Sequence, residues 1–277
     1  MSADFLEAMA AASAERVRAA QRSCPESELA ARARRAPLPP PLRLDRSGFD
    51  LIAELKLRSP AAGVLAAAQE GLEPRLVAYA RAGAAAVSVL TEPSRFDGSL
   101  AHLADAARLL APLRVPVMRK DFLVDGYQLL EARVAGAAGV LAIVRLLSRT
   151  ALDALIARAA ALGLFVLLEA FDAHDLAVMR ELIAVHGTSA RLLAGVNCRD
   201  LATLEVVPGR LLELAPLLPA GVPWVAESGV ASGADAAQVA AAGYRLALVG
   251  SALMRDEDPE GLAQALIEAG RTAAQAR

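Results

Sequence analysis

The chain has 277 residues, 56% of them hydrophobic and 22% charged, with a formal net charge of −2. That near balance gives no electrostatic footprint for nucleic acid or for an anionic membrane, so neither is expected as a partner. The length would admit two domains, but α/β barrels commonly occupy about 250 residues as one unit, and a single core is expected over 1–277.

Aromatic residues are scarce at 4%, and the apolar content is mostly Ala, Leu and Val, which suits helices and buried parallel strands. A mean hydropathy of +0.40 raises the question of a membrane span. The apolar run 136–144 stops at Arg145 after roughly nine residues, well short of the ~20 that a spanning helix needs. The uncharged stretch 214–226 is broken by Pro216, Pro219 and Pro223. Residues 1–18 carry Asp4, Glu7, Glu15 and Arg16, so no signal-peptide core is read there. Cys24 and Cys198 form no spaced cluster for a disulfide framework or a zinc site. A cytoplasmic setting is expected.

In chain order, Phe5, Leu6, Met9, Ala12 and Val17 place an apolar stripe on a helix over about 4–21. A second helix is expected over 26–35, then a linker at Pro37-Leu38-Pro39-Pro40-Pro41, because successive prolines fit neither helix nor central strand. Residues 1–48 thus read as an extension before the main body at 49–277. From there, short apolar runs alternate with helical segments: 50–55, 86–90, 115–118, 139–144, 164–168, 192–196, 223–226 and 245–249. Their spacing suits βαβ units of ~30 residues. Ala82-Gly83, Leu162-Gly163 and Ala242-Gly243 supply glycine helix ends shortly before strands. Eight such units predict a closed (β/α)8 barrel, a TIM barrel with an N-terminal helical extension. The absence of a Gly-x-Gly-x-x-Gly after the first strand counts against a dinucleotide fold.

The residues at the strand ends carry the functional signal. Ile52, Glu54 and Lys56 alternate with period two and share one face. Lys120, Glu169, Asn197 and Glu227 stand where the third, fifth, sixth and seventh strands finish. One such residue is ordinarily the first of a loop; six at the C-terminal rim, where barrel active sites gather, form a constellation. Ser228-Gly229 after the seventh strand and Gly250-Ser251 after the eighth suit a phosphate cradle of backbone N–H groups. His102, His174 and His186 read as surface residues, Cys198 as turned away from Asn197, Trp224 as packing, and Arg32, Arg34 and Arg35 as a solvated face.

On several segments the chain resembles the indole-3-glycerol-phosphate synthase family. They are Ile52-Ala-Glu-Leu-Lys-Leu-Arg-Ser-Pro60, Val87-Ser-Val-Leu-Thr-Glu-Pro93, Phe96-Asp-Gly-Ser99 and Val117-Met-Arg-Lys-Asp-Phe-Leu-Val-Asp125. Further on come Gly195-Val-Asn-Cys-Arg-Asp-Leu201, Ala226-Glu-Ser-Gly229 and Val249-Gly-Ser-Ala-Leu-Met-Arg255. The resemblance implies a carboxy-lyase of tryptophan biosynthesis. It would close the ring of 1-(2-carboxyphenylamino)-1-deoxyribulose 5-phosphate with loss of CO2 and water.

It further implies that Lys120 is the general acid and Glu169 the general base. Asn197 would hold sugar hydroxyls, Lys56 would bind substrate and serve the dehydration, and Glu54 and Glu227 would orient and balance the lysines. Ser59 and Arg199 match substrate contacts, Phe96, Phe122, Leu141 and Leu201 the aryl pocket, and Ser228, Gly229, Gly250 and Ser251 the phosphate site. The reaction needs no cofactor, metal or redox step. Neighbouring lysines are expected to depress each other's pKa, restrained by the carboxylates. Leu57, Ala61, Ala62 and Arg145 depart from the family pattern. Arg145 reads as a rim charge or an added substrate contact.

Three other readings compete. Phosphoribosylanthranilate isomerase, another phosphate-binding barrel, needs a Cys/Asp pair that these strand ends lack. A Schiff-base aldolase would use Lys120 as nucleophile. A catalytically silent barrel kept as an interaction partner would have shed Lys120 or Glu169. A monomer is expected, with a weak dimer as the alternative.

Overall fold

A computed structural model describes residues 2–46, 48–59, 63–64, 71–200 and 203–277. Eight parallel strands close into a barrel: β1 (Asp50–Leu55), β4 (Ala86–Leu90), β5 (Val117–Lys120), β6 (Gly139–Ile143), β7 (Phe165–Ala170), β8 (Leu192–Asn197), β9 (Trp224–Glu227) and β10 (Leu246–Val249). β1 pairs with both β4 and β10, which seals the sheet. A short antiparallel hairpin, β2 (Arg58–Ser59) and β3 (Gly63–Val64), sits in the loop after β1.

Period-two alternation sorts the strand residues into two cores. Leu51, Ala53, Leu55, Val87, Val89, Val140, Val166, Leu168 and Ala247 point outward and pack with the surrounding helices. Ile52, Ala86, Met118, Leu141, Phe165, Leu167, Leu193, Val225, Leu246 and Leu248 fill the interior. Continued two residues at a time toward the strand C-termini, the interior rows arrive at Glu54, Lys120, Glu169, Asn197, Glu227 and Gly250. The site is therefore the top layer of the barrel's own filling.

Helix α1 (Ser2–Ser23) lays Phe5, Leu6 and Met9 into the same interior cluster as Phe122 and Phe171, closing the mouth. Helix α2 (Glu26–Arg35) packs Leu29 and Ala33 with Val17 against Tyr127 and Leu130. The proline segment follows as extended chain, with Arg133 donating to the Ala36 and Pro37 carbonyls at 2.8 Å. Gly83, Gly163 and Gly243 adopt φ of 86°, 72° and 106°, the left-handed geometry expected of helix ends. No helix among the described residues is long and apolar enough to cross a membrane.

Several strand limits differ from the sequence reading. The third barrel strand begins at Val117, not at 115. Arg114 turns left-handed at φ 60°, the Val115 N–H closes a turn on the Leu110 carbonyl, and Pro116 has no N–H to give the ladder. At the other end, Lys120, Asn197 and Glu227 close their strands as expected, and the strand carrying Glu169 runs one residue further, to Ala170. The run 139–144 ends at Ile143, where Val144–Leu146 form one 3-10 turn.

Candidate active site

Glu54 lies at the centre of the charged layer. Its Oε1 is 2.8 Å from Lys56 Nζ and its Oε2 is 3.7 Å from Lys120 Nζ, while Lys120 Nζ is also 3.7 Å from Glu169 Oε2. These carboxylates come from β1 and β7 and the ammoniums from β5 and the residue after β1, so barrel closure assembles the set. Glu54, Glu169 and Glu227 are all less than 5% exposed. Burial opposes ionisation of Glu54, but Lys56, Lys120 and Arg199 outweigh it and hold its carboxyl below the usual range.

Lys120 corrects the expectation of a depressed lysine. Burial works against its charge, yet Glu169, Glu54 and Glu227 together outweigh burial and hold its pKa above the ordinary value. One lysine 3.7 Å from two carboxylates is an ammonium, fit to donate a proton. Glu227 moves the other way. Burial comes first and the charge of Glu169 second, and they push its carboxyl well above the usual range against the weaker pull of Lys120.

Above this layer opens a cavity of about 290 Å³. Its wall holds Glu54, Lys56, Lys120, Glu169, Asn197, Arg199 and Glu227 together with Phe96, Phe122 and Leu141. Ser228, Gly229, Gly250 and Ser251 line the same space. The structure thus brings together fourteen of the sixteen residues singled out from sequence. Of the other two, Leu201 and the side chain of Ser59 lie outside the described residues.

The neutral polar groups are held by local bonds. Asn197 Oδ1 accepts from the Arg199 N–H at 2.9 Å, and the Arg199 guanidinium donates to the Leu204 carbonyl. The cradle is narrow. Ala231 N–H and Ser232 N–H both donate to Asp235, whose carboxylate caps the helix Gly233–Ala241. Those groups are spoken for, so the loop available to an anion runs through Gly229 and Val230 on one side and Gly250, Ser251 and Ala252 on the other. Ser228 and Gly229 are left-handed in succession, at φ 63° and 76°. A Cβ on Gly229 would meet Cys198 Sγ at 3.3 Å.

Sequence reasoning missed Phe5 and Asp121 on the cavity wall. Phe5 meets the Phe122 ring edge-on at 6.0 Å, and its signal was its place on the apolar stripe with Leu6 and Met9. Asp121 accepts from Arg16 of α1 at 2.8 Å, from Thr91 at 2.7 Å and from Arg119 at 3.0 Å. Ser13 of α1 donates to the Phe122 carbonyl and receives Gln128. Asp121 and Phe122, the two residues after Lys120, therefore tie the strand end to the N-terminal helix.

Residues set aside keep their places, with one addition: His186 pairs with Asp153 at 2.8 Å. Cys198 is buried with its thiol on the Val207 carbonyl, and the Trp224 indole donates to the Pro219 carbonyl. Arg145 forms ion pairs with Asp172 and Asp175 and lies over the Phe171 ring at 4.8 Å. It is a rim charge with its own partners.

A sequence profile of the family described as indole-3-glycerol phosphate synthase matches residues 6–266. The indole-3-glycerol phosphate synthase of Micrococcus luteus is 43% identical over 261 residues, which cover 91% of this chain and 92% of that one. That of Parafrankia sp. (strain EAN1pec) is 45% identical over 222 residues, covering 79% and 78%. Among solved structures, 3-hexulose-6-phosphate synthase from Salmonella typhimurium aligns with a TM-score of 0.59 at 16% identity over 81% of this chain and 100% of that one, a likeness of fold alone. With a profile spanning nearly its whole length and relatives this similar, the chain belongs to the indole-3-glycerol phosphate synthase family.

Proposed function

We propose that the protein converts 1-(2-carboxyphenylamino)-1-deoxyribulose 5-phosphate to indole-3-glycerol phosphate, CO2 and water. The observation that carries this reading is a single cavity with a protonated lysine between two carboxylates on its floor and two glycine turns on its rim. The phosphate binds Gly229, Gly250 and Ser251, and the aryl ring lies among Phe96, Phe122 and Leu141. Arg199 and Lys56 meet the anionic and hydroxyl groups between.

The ring carbon that bears the carboxylate attacks the ketone carbon. Lys120 gives its proton to the ketone oxygen as negative charge develops there, which lowers the barrier most in a site closed to bulk water. The carboxylate leaves as CO2, its C–C electrons returning to the ring. The new hydroxyl departs as water with a proton from Lys56, and Glu169 takes the carbon-bound proton to complete the indole. A Schiff-base role for Lys120 is disfavoured, since its charge is held in place by Glu54 and Glu169.

The protein is further proposed to act in the cytoplasm as a monomer of one domain, with a small phosphorylated substrate its sole partner. Leu57 is half-buried beside Lys56, and its apolar character adjusts affinity more than reaction type. Ala61 and Ala62 lie outside the described residues. Supplying the carboxyphenylamino-deoxyribulose phosphate and following indole fluorescence tests the assignment. Growth of the product signal with enzyme concentration supports it, and a flat trace refutes it.

A further inference from the structure

We propose that Glu169 and Glu227 share one proton across Gly195, so that Glu227 works as a carboxylic acid that donates to Glu169 and holds that base in place. The inference deepens the proposed function and rests on its use of Glu169 as base.

The cations of the layer are already taken. Glu54 is within 4 Å of both Lys56 and Lys120, and Glu169 is within 4 Å of Lys120. Arg199 gives its guanidinium to the Leu204 carbonyl. Among the described residues, no ion pair reaches Glu227, whose side chain is 1% exposed. Ionised, Glu227 would be the third carboxylate of the layer and, among the described residues, the one with no cation within 4 Å, since Arg199, the remaining cation of the wall, is turned to a backbone carbonyl. An unpaired buried charge is strongly disfavoured against its neutral form.

Hydrogen bonding points the same way. Both oxygens of Glu227 and Oε2 of Glu169 are closed to solvent and find no donor among the described residues. Two ionised carboxylates are acceptors only and can do nothing for each other; one proton turns one of them into a donor.

Gly195 supplies the gap. It sits inside β8, is the register partner of Glu169, and is not among the residues with positive φ. Its lack of a side chain is therefore a matter of space. A Cβ there would lie 2.2 Å from Glu227 Oε1 and 3.0 Å from Leu167 Cδ1. Any larger residue would displace the Glu227 carboxyl from its place over β8. The groups facing Glu227 are Glu169 from β7, Lys120 from β5 and Glu54 from β1, and their combined effect with burial favours its neutral form.

The family resemblance gives Glu227 a different task, as an ionised counter-charge for the lysines, and the two roles separate by experiment. Infrared spectra of the resting full-length protein at neutral pH should show the carbonyl stretch of a buried protonated carboxyl group. The band should persist in Glu54→Gln and vanish in Glu227→Gln. Its absence from the unsubstituted protein, or its survival in Glu227→Gln, overturns the proposal.

Kinetics give the second arm. The amide of Glu227→Gln still donates but does not titrate, so this variant should turn over about tenfold or more faster than Glu227→Leu and lack the alkaline fall in rate that deprotonation of the pair causes. Equal losses in both variants, with the alkaline limb kept, favour the counter-charge and overturn the shared proton. Should Glu169→Gln retain its rate while the infrared band stands, the assignment of the base fails and the proton pair remains.

Discussion

Glu54 of β1 closes over Gly250 at the end of β10: a Cβ on Gly250 would fall 2.2 Å from Glu54 Oε1 and 2.9 Å from Lys56 Nζ. Gly250 has a φ of −121°, so the backbone does not demand glycine there; the ion pair does. Gly250→Ala is expected to lower turnover about tenfold or more through displacement of the Glu54–Lys56 pair, with a smaller change in melting temperature. Gly83→Ala is the contrast. Nothing crowds it, but φ is 86°, so it should lose about 1 kcal/mol of stability and keep its rate. Turnover and thermal denaturation of the two variants check both halves; a fully active Gly250→Ala contradicts the reading.

Lys120→Ala and Glu169→Gln should each reduce turnover about a hundredfold or more while the circular dichroism stays that of the parent. Borohydride added with substrate should trap no covalent adduct on the parent enzyme, because Lys120 is held as an ammonium. A reduced adduct found at Lys120 by mass spectrometry would restore the aldolase reading.

Arg119 is 4% exposed and donates to Thr91, the Gln128 carbonyl, Glu131 and Asp121. Arg119→Met takes a buried guanidinium from Asp121 and Glu131 together, although Asp121 keeps Arg16 and Thr91, and is expected to cost about 3 kcal/mol in urea denaturation. Arg16→Ala leaves Asp121 with Arg119 and should cost about 1 kcal/mol or less, mainly as easier proteolysis of α1. Similar midpoints for the two variants would deny the difference in burial its importance.

Glu227→Gln should raise the melting temperature, and more so as the medium becomes alkaline. The folded carboxyl keeps its proton above the usual range while the unfolded one loses it near pH 4.3. Stability is therefore full below that value and is lost as pH rises toward the folded pKa. The amide does not titrate. The advantage of the variant should widen by at most about 1.4 kcal/mol per pH unit across this window, or some 2–4 °C per kcal/mol. An advantage that stays constant from acid to alkaline pH would show that the group ionises normally.

Much of the barrel and its rim was legible because both follow from short-range periodicity. Ile52, Glu54 and Lys56 share a face by alternation alone, and Gly229 and Gly250 advertise their turns. What depends on distant partners was not legible. The two carboxylates nearest Lys120, those of Glu169 and Glu54, come from two other strands, so its pKa could be judged only after closure. The partners of Arg145, Asp172 and Asp175, lie 27 and 30 residues away, and nothing local distinguishes them from other acids. Phe5 belonged to a recognisable apolar stripe, yet which of its residues reaches the cavity depends on the docking of α1 by Arg16 and Ser13.

The seam between β1 and β10 has a consequence of its own. Glu54 and Lys56 stand on one side of it and Gly250 and Ser251 on the other, nearly two hundred residues apart along the chain. Arg271 of the final helix grips the Phe49 carbonyl and Asp50 at the foot of the same join. An unfinished barrel thus owns neither half of a working pocket. Turnover registers that the first and last strands have met, which makes activity a gauge of ring closure as well as of chemistry.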